Sequence, residues 1–160
     1  MSKLIGEWQT AGVTIDFLGK RLTDCATNAM KEAGEDLADV MRGHIDKQDL
    51  GWTPLAEYTV RMKGSDVIYI ETGDLYRNAF KVRQLKATKK GSSFFVGANP
   101  WTKHKPSGQK MNVVLTELEY GTEKIPPRPI VRPSYEEFQR QLPKRFAKYM
   151  KLELGKGGLV

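Results

Sequence analysis

The 160-residue sequence has one cysteine, two histidines and no apolar run long enough to cross a bilayer. A lone Cys25 cannot build an internal disulfide framework, and it suits a chain that folds in reducing cytoplasm. Met1–Trp8 lacks the apolar stretch and small-residue cleavage site of a signal peptide, so none is expected. No CxxC pair, HExxH or EF-hand pattern occurs, which removes the common metal signatures. Gly91, Gly97, Gly108 and Gly121 are scattered, not grouped into a loop that cradles phosphate. Glu35, Asp36 and Asp39 cluster, but on a helical pattern they read as a solvated acidic face, not a Mg²⁺ site. Cys25 lies beside an apolar stripe, His44 sits near a helix C-terminus, and His104 has no carboxylate neighbour in sequence. The sequence therefore predicts no catalytic, metal-binding or cofactor-binding residue, and no cofactor.

Acid is missing from a longer stretch. Between Leu75 and Thr116 there is no Asp or Glu, while Arg77, Lys81, Arg83, Lys86, Lys89, Lys90, Lys103, Lys105 and Lys110 fall there. Much of the net charge of +7 is concentrated in that region. Such a field attracts phosphate or an acidic protein surface, and Lys81, Arg83, Lys86, Lys89 and Lys90 form a candidate DNA-facing patch. The alternative is a solvated basic face that protects strand edges from aggregation.

What is present reads as one α+β domain over residues 1–154, with 155–160 as a flexible glycine-rich tail. Gly12–Gly19 alternates apolar and polar residues, which predicts a short first strand. Leu22, Ala26, Ala29, Met30, Ala33, Leu37, Val40, Met41 and Ile45 then recur at helical spacing, predicting a long helix from about Lys20 to Asp46. Gly34 marks a point where that helix could bend. Thr53 is placed to cap a short helix beginning at Pro54, and Thr72 to cap a single turn. Ala79–Ala87 and Ser92–Gly97 read as a hairpin burying Phe80, Val82 and Gln84, or the opposite set with a bulge. Asn99–Lys110 reads as a long exposed loop, and Met111–Tyr120 fits either helix or strand. A last helix follows from Tyr135, with Pro143 expected to kink or split it. The architecture predicted is a small antiparallel sheet against a long N-terminal helix, with a C-terminal helix after an extended segment.

That segment, Glu119–Pro133, holds four prolines and two arginines in fifteen residues. Proline fixes φ and pushes the preceding residue toward extended backbone, so a stiff stretch is predicted. Little entropy then remains to be lost when Ile125, Arg128, Ile130 and Arg132 meet a partner. They are candidate subunit-interface residues, with Trp101 on the exposed loop as a fifth. The competing reading is a covalent strap joining sheet to last helix.

Several motifs occur in a characteristic order: Gly51-Trp52-Thr53-Pro54-Leu55 with Thr59 and Lys63, then Glu71-Thr72-Gly73-Asp74-Leu75, then Phe95-Val96-Gly97. Glu119-Tyr120-Gly121-Thr122 and the proline segment ending in Arg132-Pro133 complete the set. The set resembles the tail-completion and virion-morphogenesis proteins of tailed bacteriophages, the head–tail joining or neck components, over about Gly51 to Glu137. Ile130-Val131 departs from the Phe-Leu pair usual there, and the loop at 99–110 is longer than the pattern requires. The resemblance implies a non-enzymatic structural protein that forms a homo-oligomeric ring, often a hexamer. It implies a place in the virion neck or head-proximal tail, against connector and tail-terminator or tail-tube proteins. DNA in the channel is then a non-specific contact, and no membrane is involved.

Overall fold

The computed structural model describes residues 8–88 and 91–156. Among the described residues, five helices and a two-stranded antiparallel sheet make an α+β fold: α1 (Trp8–Lys47), α2 (Glu57–Lys63), α3 (Asp74–Asn78), β1 (Lys81–Thr88), β2 (Gly91–Gly97), α4 (Met111–Tyr120) and α5 (Val131–Gly155). The hairpin packs on α1, and α5 lies along the same helix.

The expected first strand at 12–19 is instead part of α1. Alternation over so few residues is compatible with both periods, and a helix satisfies its own backbone groups without a partner strand. Downstream, the apolar stripe buries Cys25, Ala29, Ala33, Ala38, Met41 and Ile45. Gly34 does not break the helix. A Cβ there would stand 3.1 Å from Val82 Cγ1 and 3.4 Å from Val96 Cγ2, so the glycine lets the hairpin pack closely on the helix. Gln48, at φ 52°, ends α1; its side-chain amide donates to the Ile68 carbonyl at 3.1 Å and accepts from the Ile68 N–H at 3.0 Å.

Helices α1 and α5 run antiparallel. His44 lies 3.4 Å from Glu137, Arg145 Nη1 and Tyr149 Oη each reach Asp36 at 2.7 Å, and Asn28 donates to Glu153 at 2.9 Å. The partners advance along α5 as they retreat along α1. Pro143 does not split α5. The carbonyl it leaves without a donor belongs to Gln139, and both residues are exposed, so water can serve it.

In the hairpin Val82 pairs with Val96 and Gln84 with Phe94, and a bulge follows between Gln84 and Lys86. Phe80, just before β1, is fully buried with Met41, Ile45, Met111 and Ile130. Residues 111–120 are helical as α4. Gly155 is the last helical residue of α5, Lys156 is its C-cap, and residues 157–160 of the expected tail lie outside the described residues.

Two capping expectations fail. Helix α2 begins at Glu57, not Pro54, with Ala56 at its N-cap, and α3 begins after Gly73 in the left-handed region without a Thr72 side-chain cap. The Thr53 and Pro54 carbonyls face a long-range donor, Arg128, and this holds their backbone outside the helix.

Candidate functional site

The proline segment folds inward as a strap. From Gly121 to Ile130 it is irregular and extended, and the helix resumes at Val131, so Arg132 and Pro133 stand in the first turn of α5, not in an extended arm. Proline is compatible with a first helical turn, where its missing N–H has no intrahelical acceptor to lose.

Each bond of the strap has a named partner. Trp52 Nε1 donates to the Pro129 carbonyl at 2.7 Å, and Tyr69 Oη donates to the Arg128 carbonyl at 2.6 Å. The Arg128 N–H donates to the Leu118 carbonyl at 2.7 Å. Trp52 and Tyr69 also touch ring to ring, centroids 5.1 Å apart and planes tilted by 46°. Glu119, at the end of α4, spans the gap to α5. Its Oε2 accepts the N–H groups of Ile130 (2.7 Å) and Val131 (2.9 Å), and its Oε1 accepts that of Arg132 (3.0 Å). A carboxylate at a helix N-terminus satisfies orphan donors and complements the helix dipole. Gly121 makes the turn between the two helices at φ 76° and ψ 175°, a region open essentially to glycine alone. A Cβ there would fall 2.8 Å from Pro127 N.

Arg128 and Ile130 are 6% and 0% exposed, so these two expected interface residues point into the chain. The Arg128 guanidinium donates from Nε to the Thr53 carbonyl at 3.1 Å and from Nη2 to the Pro54 carbonyl at 3.4 Å. Among the described residues no carboxylate lies within ion-pair distance of it. Burial pulls its pKa below the usual arginine value, though a guanidinium remains charged. Burial pushes the Tyr69 hydroxyl the other way, with the Glu119 charge adding to the rise. Ile125, Arg132 and Trp101 are exposed, Trp101 at 83%. Arg132 pairs with Glu136 at 3.0 Å on its own helix.

The loop at 99–110 is not loose. Lys103 and Lys110 form a β-bridge, the His104 N–H donates to the Gln109 carbonyl at 2.8 Å, and the buried His104 ring meets Ser107 Oγ at 2.9 Å. Asp74, 4% exposed, accepts the Lys105 N–H at 2.9 Å and the Asn78 amide at 2.9 Å. Those bonds, the Lys105 N–H first, hold its pKa below the usual Asp value. On the hairpin, Lys81 and Lys86 are exposed and Arg83 lies 5.5 Å over the Phe95 ring. Lys89 and Lys90 fall outside the described residues.

Between α2, α4 and the strap opens a cleft of about 410 Å³. Leu55, Met62, Ile68, Leu75, Leu118 and Ile125 line it, with Arg128, Lys63 and Glu71 as its charged members. Burial lowers the Lys63 pKa, and its ammonium donates to the Val67 carbonyl.

No family model, curated protein or solved structure matches the chain. Among the described residues no group of three or more His, Cys, Asp or Glu side chains is placed to hold a metal ion, and no helix is long and apolar enough to cross a membrane. Sequence reasoning missed Tyr69, which no local pattern marks, and missed the task of Glu119. An acid in the first turn of its own helix is the usual capping signal, whereas Glu119 caps from the end of the preceding helix.

Proposed function

We propose that this chain is a non-enzymatic structural protein of a tailed-phage virion, completing the tail or joining head to tail as a homo-oligomeric ring in the neck. The supporting observation is that the first and last of the motifs that carry the resemblance, Trp52–Pro54 and Glu119–Arg132, converge. Trp52, Thr53 and Pro54 lie 74 to 77 positions from the strap residues they bond, and Glu119, Gly121 and Arg128 hold the same strap. Ring formation needs two different patches that meet between copies, and Trp101, Ile125 and Arg132 remain available on the outside. Electron microscopy of the purified protein tests the reading. Rings are expected, hexameric ones first, and a chain that stays monomeric alone and with tail-tube protein refutes it.

The second reading is a basic nucleic-acid-binding module, favoured by exposed Lys81 and Lys86 on a hairpin within the acid-free stretch. It predicts anisotropy-detected binding of arbitrary DNA that weakens steeply with salt.

A further inference from the structure

The cleft and the first turns of α1 complement each other in shape and charge. Inside the cleft, Arg128 is 94% buried, and its two hydrogen bonds go to neutral carbonyls. Its Nη1 has no hydrogen-bond partner among the described residues. Lys63 adds a second cation against the single carboxylate of Glu71. A buried guanidinium without a counter-charge in an apolar cleft favours a ligand that brings a carboxylate together with apolar surface.

The chain itself has such a surface. Residues 16–24 of α1 include no buried side chain, and Phe17 is 61% exposed. Asp24, seven residues on, shares the helix face of Phe17. It is exposed and takes part in no ion pair or side-chain hydrogen bond among the described residues. Arg21, four residues from Phe17 on that face, supplies the cation that Glu71 of the cleft would meet.

We infer that the Phe17–Asp24 face of α1 in one copy docks into the Arg128 cleft of the next copy, with Phe17 among the aliphatic walls and Asp24 toward the guanidinium. The inference rests on the self-assembly part of the reading above and names its interface. Knob and cleft are different patches, so the contact is head-to-tail and propagates until it closes a ring.

Complementation tests it. A knob variant (Phe17→Lys with Asp24→Lys) and a cleft variant (Met62→Glu, on a residue 73% exposed) are purified as full chains. Their circular dichroism and thermal midpoints are compared with wild type, and Thr59→Arg, also exposed, serves as a second cleft variant. Light scattering should find each variant alone at the 18.1 kDa of one chain. Mixed together, the one intact knob and one intact cleft should give a species of twice that mass and nothing larger. Oxidised Phe17→Cys/Met62→Cys protein should form a ladder of covalent multimers, since the native Cys25 is buried. Variants that assemble like wild type overturn the interface and leave the ring reading standing. Loss with the cleft variants but not with the knob variant assigns the cleft to another segment or protein, and also overturns it. A wild type that is monomeric throughout overturns both.

Discussion

Replacing Glu119 with alanine removes the acceptor of three backbone N–H groups at the start of α5. The cost is unequal among them. Ile130 is fully buried, so its N–H loses its only partner where water does not reach, a penalty of about 1–3 kcal/mol. Val131 is half-buried and Arg132 exposed, so their N–H groups can turn to water. Their loss is nearer that of an ordinary helix cap, about 1 kcal/mol together. Removing negative charge from a partly buried helix N-terminus adds roughly 0.3–1 kcal/mol. Glu119→Ala should therefore destabilise the fold by about 3 kcal/mol, and Glu119→Gln, which keeps one acceptor oxygen, by about half of that.

Urea unfolding followed by circular dichroism measures this directly. With a slope of about 1–3 kcal/mol/M, the alanine midpoint should fall by about 1–3 M. A chain of this size loses about 2–4 °C per kcal/mol, so the thermal midpoint should fall by roughly 6–12 °C. Hydrogen exchange should quicken first at Ile130, Val131 and Arg132. An alanine variant within about 0.5 kcal/mol of wild type, the range of a neutral surface change, would falsify the claim that this carboxylate ties α4, strap and α5 together.

Gly121→Ala should cost at least about 2 kcal/mol, because its backbone region is closed to other residues and the new Cβ meets Pro127 backbone; a midpoint unchanged in urea refutes this. Tyr69→Phe leaves the Arg128 carbonyl without its donor and should cost about 1–2 kcal/mol. Because the folded Tyr69 pKa is raised, its contribution is complete below the unfolded value near 10 and declines as pH rises beyond it, so Tyr69→Phe should flatten the alkaline limb of the stability curve. Asp74 has a depressed pKa, so its contribution is present above the unfolded value near 3.9 and is lost as pH falls below it. Amide exchange at Lys105 should accelerate in that acid window in wild type and be less pH-dependent in Asp74→Asn.

The periodic features were legible in the sequence, and the long-range partners were not. The helical stripe running from Leu22 to Ile45 and the hairpin of Ala79–Ala87 with Ser92–Gly97 follow from spacing, which is set by faces that must be buried. Residues 12–19 misled because a few alternating residues do not distinguish a strand from a helix that needs no partner. Thr53 looked like a local cap, but its carbonyl is taken by an arginine seventy-five positions away. The rigidity of the proline segment was apparent in its composition, yet the inward direction of Arg128 and Ile130 depends on Trp52, Tyr69 and Leu118, which meet the strap only after folding.

That inward direction changes what the resemblance can say. Trp52, Glu119, Gly121 and Arg128 are all tied to the strap, so they report the fold more directly than the partner. Partner contact falls to exposed residues around them: Trp101 and Tyr120, which are 83% and 79% exposed, with Ile125 and Arg132, and Thr59 and Met62 at the rim of the cleft. Alanine variants at these exposed positions should alter assembly while leaving the unfolding midpoint nearly unchanged. Variants at Arg128 or Ile130 should lower the midpoint whether or not assembly takes place. An assembly defect in Arg128→Ala therefore becomes informative only beside its own unfolding curve, and a defect larger than the lost stability explains is what contact with Asp24 of the next copy predicts.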